Sequence, residues 1–364
     1  MTILINDLRR HNDLIQAELN AAVLRVATSG WYILGPEVEK FEQEFAVYCD
    51  VSHCVAVANG TDALELALRA LDVAADSEVI TVANAGMYST TAILAIGAQP
   101  VFIDVDPQSL TMDPGALRAA IGPRTAAVIV THLYGQMADL SELLAVTEAA
   151  GVPLIEDCAQ AHGACRKNQR AGAWGALGCF SFYPTKNLGA LGDAGAVTTA
   201  DPQLAAKLRQ LRQYGWGQKY CATVAGGRNS RLDELQAAVL RVKLPHLDAW
   251  NQRRRTIAQT YAAQIQHPAL RLPAFGNDSV THLYVVRTTH RDALREHLEN
   301  QGIASDIHYP IPDYRQPALQ GRFSDLFLPQ TEAAVAEVLT LPCFPEMTDH
   351  EITLISNAIN LWKI

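Results

Sequence analysis

Short apolar runs alternate with helix-like stretches through the first half of this chain, and that alternation limits the folds open to it. Residues 78–82, 100–105, 126–131, 152–156 and 178–183 read as strands, and residues 53–58 add one upstream. Between them lie helical patterns, such as residues 139–150 and residues 62–71 with Leu64, Leu66, Leu68 and Leu71. Parallel neighbours need a crossover long enough to hold a helix, so the pattern predicts an α/β fold around a mostly parallel sheet. At 364 residues the chain exceeds one hydrophobic core. We place a large domain at residues 1–245, ending near Pro245 after a helical pattern over 235–244, and a smaller α+β domain at residues 246–364. The smaller part reads as a long helix from His246, a strand at 283–288, a helix at 292–300, a strand at 303–307 and a final helix from Glu351.

The chemistry concentrates between Leu154 and Val197. One strand ends in Glu156 and Asp157 and leads into Cys158-Ala159-Gln160-Ala161-His162-Gly163; the next, Cys179-Phe180-Ser181-Phe182-Tyr183, leads through Pro184-Thr185 to Lys186, with Gly189, Gly192 and Gly195 beyond it. Pyridoxal phosphate needs a carboxylate against its ring nitrogen, a lysine to bond its aldehyde carbon and donors for its phosphate, because the protein supplies position and electrostatics. Asp157 stands at the carboxyl end of a strand, where ligands of open α/β sheets gather. Its charge would hold the ring nitrogen protonated. Lys186 follows a strand in a stretch whose proline and glycines disfavour a helix, which lets its amine face a cleft. Gly60-Thr61 open the helix at 62–71, and free N–H groups there make a phosphate site. Without the lysine block the same residues read as a plain cap, with Asp62 and Glu65 in a capping-box-like pair. Strand-end aspartates are often helix caps and most lysines are surface charges, so the order of the groups carries the reading. Cys158 reads as a small buried hydrophobe.

The segments Glu156-Asp157-Cys158-Ala159-Gln160-Ala161-His162-Gly163-Ala164 and Ser181-Phe182-Tyr183-Pro184-Thr185-Lys186-Asn187-Leu188-Gly189 resemble the two signature segments of the DegT/DnrJ/EryC1/StrS family. Those proteins are nucleotide-sugar aminotransferases of the aspartate aminotransferase-like (type I) fold of PLP-dependent transferases. Gly30-Trp31-Tyr32-Ile33-Leu34-Gly35-Pro36, Ala58-Asn59-Gly60-Thr61-Asp62-Ala63-Leu64, His132-Leu133-Tyr134-Gly135-Gln136, Gly227-Arg228-Asn229-Ser230-Arg231-Leu232-Asp233 and His308-Tyr309-Pro310 match in order. The resemblance implies that Lys186 is catalytic and that Gly60, Thr61, Asp62, Asp157, Gln160 and Ser181 hold pyridoxal 5'-phosphate. It implies pyridoxamine phosphate as the amine carrier between two half-reactions, with L-glutamate as donor. It places Asn229 on the cofactor phosphate of a partner subunit, so that a homodimer shares its active sites. Arg228 and Arg231 beside Asn229 offer the local attraction an anionic nucleotide sugar needs, and His308 and Tyr309 are further sugar contacts. Lys186-Asn187-Leu188-Gly189 followed by Leu191-Gly192-Asp193-Ala194-Gly195 resembles members that aminate C3. The expected substrate is therefore a dTDP-linked 3-keto-6-deoxyhexose. A UDP-linked 3-keto sugar, a 4-keto sugar, and a non-catalytic cofactor-binding regulator are the alternatives.

Two segments depart from the family pattern. Val82-Ala83-Asn84-Ala85-Gly86-Met87-Tyr88 lacks its proline and is one residue longer, which leaves Tyr88 as the expected ring-stacking residue and Met87 as its competitor. Tyr314 stands where a histidine often follows Tyr-Pro-x-Pro and is read as a sugar contact. Relatives that deoxygenate sugars replace the lysine by histidine, so Lys186 argues against that reaction.

Composition excludes other classes. With 49% hydrophobic and 18% charged residues the chain is a packed globular protein, and a net charge of −9 argues against nucleic acid as a partner. No run reaches the length of a membrane span, and Asp7, Arg9, Arg10 and Asp13 stand where a secretory signal needs an apolar core, so a cytoplasmic location is expected. Seven cysteines, an odd count without a CxxC pair, speak against a disulfide framework or a zinc site. Arg253-Arg254-Arg255 reads as a solvated helix face. No G-x-G-x-x-G follows a strand and no P-loop motif occurs.

Overall fold

The predicted alternation builds a seven-stranded sheet. The computed structural model describes residues 2–276 and 278–364. In chain order the strands are β1 (His53–Val57), β2 (Glu78–Val82), β3 (Gln99–Ile103), β4 (Thr125–Thr131), β5 (Leu154–Asp157), β6 (Leu177–Ser181) and β7 (Gly195–Thr199). Across the sheet they run β1-β7-β6-β5-β4-β2-β3. Strand β7 is antiparallel to both neighbours, and the remaining pairs are parallel. It is missing from the sequence reading because the glycines before it look like loop and its own run, Ala196-Val197-Thr198-Thr199, is short.

Side chains alternate between the two faces of a strand, and here both faces are covered, which is why the strands read as nearly continuous apolar runs. Val79, Ile129, Ile155 and Leu177 pack on one side with Leu64, Leu66 and Leu68 of the helix Gly60–Ala70. Ile80, Val128, Val130 and Phe180 pack on the other with Phe41 and Phe45 of the helix Pro36–Cys49. Register places Thr131 beside Asp157 and Asp157 beside Cys179, so the carboxyl ends of β4, β5 and β6 open at one place.

The remaining C-terminal residues form a second core around the antiparallel pair β8 (Tyr284–Arg287) and β9 (Val338–Leu341), flanked by helices Leu247–Gln264, Arg291–Asn300 and Asp349–Leu361. The helix Glu234–Lys243 leads through a short 3-10 turn, Leu244–His246, into Leu247–Gln264. Two expectations change here. No strand forms at 303–307; Ile303 bridges to Ile3 and Asp306 to Thr340, so the segment is shared between two different partners. Arg254 does not lie on a solvated face. It is 4% exposed, and its guanidinium donates to the carbonyls of His282 and Cys343, because helical rotation turns it inward between Arg253 and Arg255.

Candidate active site

The strand ends open into a cavity of about 530 Å³ lined by Gly60, Thr61, Tyr88, Asp157, Gln160, Ser181, Lys186, His308 and Tyr309, among others. Asp157 is 4% exposed and accepts hydrogen bonds from the Ala159 N–H (3.2 Å) and the Thr131 hydroxyl (3.2 Å). Burial raises its pKa above the ordinary aspartate value, and these two bonds and the nearby Lys186 only partly oppose that. A buried carboxylate left short of positive charge fits the protonated ring nitrogen of a pyridine cofactor.

Lys186 is half-buried, its backbone N–H tied to the Tyr183 carbonyl at 2.9 Å. Burial lowers its amine to about 8, with Asp157 pulling the other way. Such an amine is a base and nucleophile near neutral pH.

The helix Gly60–Ala70 begins at the rim. Its cap is Asn59, whose side-chain oxygen takes the Asp62 N–H at 2.8 Å. The preceding N–H groups, Gly60 and Thr61, keep their donors for an anion at the positive end of the helix. A Cβ at Gly60 would come within 2.6 Å of the Ser181 Cβ, so only glycine lets the helix start close against that hydroxyl. This cradle fits a phosphate. Asp62 itself lies outside the cavity lining: its carboxylate faces Arg228 at 3.4 Å, and Arg228 also pairs with Glu65.

Gln160 is held at both ends. Its carbonyl oxygen accepts from the Tyr134 N–H at 2.6 Å and its amide donates to the Tyr309 hydroxyl at 3.2 Å. Tyr88 lines the cavity with its ring 6.1 Å from that of Tyr309. Met87 instead packs with the cluster of Ala83, Phe102, Tyr314, Leu319 and Leu328. Tyr314 also sits in that cluster, 2% exposed, donating to Glu332 at 2.8 Å, so the structure does not bring it to the cavity. Asn229 and Arg231 do not line the cavity of their own chain either; Asn229 bridges to Gln213, and Arg231 lies over the Tyr214 ring at 5.8 Å.

The cavity also contains Tyr183, Asp193 and His282, which the sequence reading passed over. His282 has a definable tautomer. Asn251 donates through its amide nitrogen to the His162 carbonyl (2.8 Å), which leaves its oxygen to accept from the Asn187 amide nitrogen (2.8 Å). The Asn187 oxygen must then accept from His282 Nδ1 at 2.8 Å, so His282 carries its proton there and Nε2 is a bare acceptor. Burial and the nearby cations keep the imidazole well below its ordinary pKa.

Behind the cavity, His132, Glu156 and Cys158 come close enough to suggest a metal set. Glu156 is already saturated, accepting from His132 Nε2 (3.0 Å) and from the N–H groups of Gly172 (2.9 Å), Trp174 (2.7 Å) and Gly175 (2.9 Å).

The model of the DegT/DnrJ/EryC1/StrS aminotransferase family matches residues 13–360. The chain belongs to that family. It is 47% identical over 350 residues to the erythromycin biosynthesis sensory transduction protein EryC1 of Saccharopolyspora erythraea, covering 93% of this chain and 94% of the relative. It is 46% identical over 356 residues to the dTDP-3-amino-3,6-dideoxy-alpha-D-galactopyranose transaminase of Aneurinibacillus thermoaerophilus, covering 97% and 98%. The crystal structure of Streptomyces venezuelae DesV in complex with a ketimine intermediate superposes with a TM-score of 0.96 at 43% identity, covering 99% of this chain and 98% of DesV. The fold is that of the PLP-dependent aminotransferases, with its site at the carboxyl ends of a mostly parallel sheet. Among the described residues no helix is long and apolar enough to cross a membrane.

Proposed function

We propose that this aminotransferase moves the amino group of L-glutamate to C3 of a dTDP-linked 3-keto-6-deoxyhexose, using pyridoxal 5'-phosphate and its pyridoxamine form. The observation that carries the reading is one cavity holding a buried carboxylate short of positive charge, a lysine depressed to about 8, and a glycine-opened helix N-terminus against Ser181. The dTDP-3-amino-sugar named in the Aneurinibacillus relative supports C3 and the nucleotide.

When bound, pyridoxal phosphate supplies the electron sink that makes the donor's α-hydrogen acidic. Asp157 would hold the ring nitrogen protonated. The N–H groups of Gly60 and Thr61 and the Ser181 hydroxyl would hold the phosphate and Tyr88 the ring, while Gln160 fixes the Tyr134 and Tyr309 side of the cavity. Lys186, as a neutral amine, would move the proton from the α-carbon of glutamate to the cofactor's C4′ and, in the second half-reaction, from C4′ to C3 of the sugar. His308, Tyr309 and Tyr183 face the sugar from the same chain. Asn229 and Arg231 serve the cavity of a second subunit, which makes the homodimer the active form.

Purified protein mixed with pyridoxal phosphate should show the visible band of lysine-bound cofactor, and glutamate should convert it to the near-ultraviolet band of pyridoxamine phosphate. Lys186→Ala should bind cofactor without that visible band and lose amine transfer by at least about a thousandfold. Single-turnover assays with dTDP- and UDP-linked 3-keto and 4-keto sugars then identify the acceptor. A band indifferent to every amino donor would replace catalysis by a regulatory role.

A further inference from the structure

The helix that begins at Tyr88 has no cap of its own. It spans Tyr88–Ala95, and the residue before it, Met87, is in the left-handed region (φ 71°) with no side-chain hydrogen bond to the first turn. Helix N-termini leave donors that need partners, and here the acceptor arrives from the far end of the sequence. Asp313, 1% exposed, accepts from the Met87 N–H at 2.9 Å and from the Thr90 hydroxyl at 2.6 Å. Its own N–H donates to the Ala83 carbonyl at 2.8 Å. A third stitch lies close by: a Cβ at Gly86 would meet the Tyr309 ring at 2.9 Å, so the two segments touch with no side chain between them. Loop 83–88 and segment 306–315 are thus fastened at three points, and those two segments carry Tyr88 and Tyr309 into the cavity.

Asp313 does not line the cavity. A carboxylate buried without a cation beside it is costly, and burial accordingly raises it to about 6, against the hydrogen bonds from Thr90, Met87 and Gly86. A cap for a short helix does not require that cost, because asparagine or serine caps as well. One carboxylate oxygen of Asp313 takes the Met87 N–H and the other takes the Thr90 hydroxyl, which ties down the turn that carries Tyr88.

We infer that Asp313 is a positioning residue that clamps the turn bearing Tyr88 to the segment bearing Tyr309, setting the distance between the two rings that face the bound cofactor and sugar. The inference rests on the proposed reading of Tyr88 as the residue facing the cofactor ring.

The test is a double-mutant cycle on pyridoxal phosphate affinity and on the visible circular dichroism of the bound cofactor, with the melting temperature of cofactor-free protein measured alongside. Asp313→Ala should weaken binding about tenfold, the size of a lost helix cap, and reduce the dichroic band. Tyr88→Ala should do the same, and the double variant should stay near tenfold rather than reach about a hundredfold, because both changes remove one interaction. Asp313→Asn, which still accepts from Met87, should recover most of the affinity and the band. Should Asp313→Ala fail to fold, Thr90→Val takes its place in the cycle. Additive losses, or an Asp313→Ala protein that melts earlier yet binds cofactor normally, would leave Asp313 as a stabilising cap only and overturn the inference. If wild type binds no pyridoxal phosphate, or Tyr88→Ala leaves both readouts unchanged, the reading of the cavity fails first and the inference with it.

Discussion

Glu156 and Asp157 are adjacent on one buried strand, and they show two opposite ways to keep a carboxylate inside a protein. Glu156 is wholly buried and fully met: three backbone N–H groups and His132 point at its two oxygens. Those bonds tie β5 to the loop at residues 172–175 and to the chain after β4. Asp157, one residue on and facing the other way, has two hydrogen bonds and a raised pKa. Alternation along a strand is enough to assign one acid to architecture and the next to chemistry. A buried carboxylate met by four donors serves the fold, whereas one met by only two is held ready for a ligand.

Exchanging each acid for its amide tests the contrast. Asp157→Asn should lower amine transfer by about a hundredfold or more, since the ring nitrogen loses its counter-charge, while the cofactor-free protein melts no earlier. The sign follows from linkage: a carboxyl whose folded pKa is raised binds its proton more tightly in the folded state, so above that pKa its ionised form costs stability, and removing it does not. Glu156→Gln should do the reverse, losing roughly 3 kcal/mol because a buried amide leaves N–H groups unmet, while each folded molecule transfers amine at nearly the wild-type rate. Thermal melts and active-site-normalised turnover separate the two; equal losses in both readouts for either variant would erase the distinction. A smaller effect sharpens it further. In cofactor-free protein the reactivity of Lys186 toward an amine-labelling reagent should rise through about pH 8. That midpoint should move lower in Asp157→Asn, because the Asp157 charge raises it, and stay in place in Glu156→Gln.

The same contrast marks what could be read in the sequence. Asp157, Ser181 and Lys186 were legible because they fall at or just beyond strand ends, where sheet order alone brings them together. His282, Tyr183 and Asp193 were not, since their presence in the cavity depends on how the second core docks and on which way a short post-strand segment turns. The cradle at Gly60 was predicted, yet its cap is Asn59 rather than a box made by Asp62 and Glu65, whose carboxylates go to Arg228 instead. Three consecutive arginines looked like a solvated face because composition carries no phase. Only the packing of the helix Leu247–Gln264 decides that Arg254 points inward. Tyr314 was assigned by its place after Tyr-Pro-x-Pro, but an aromatic side chain finds more contact in the cluster around Phe102 than a histidine would.

The bridge between Ile3 and Ile303 has a consequence for how the molecule is made. Ile5 and Asn6, next to it, line the cavity, and so do Thr340 and Leu341. On the ribosome the first of these segments emerges long before the last, so Lys186 is translated into a chain whose cavity has no far wall. Closing the cavity waits on contacts such as this bridge, whose partners stand 300 residues apart in sequence, a slow kind of contact to form.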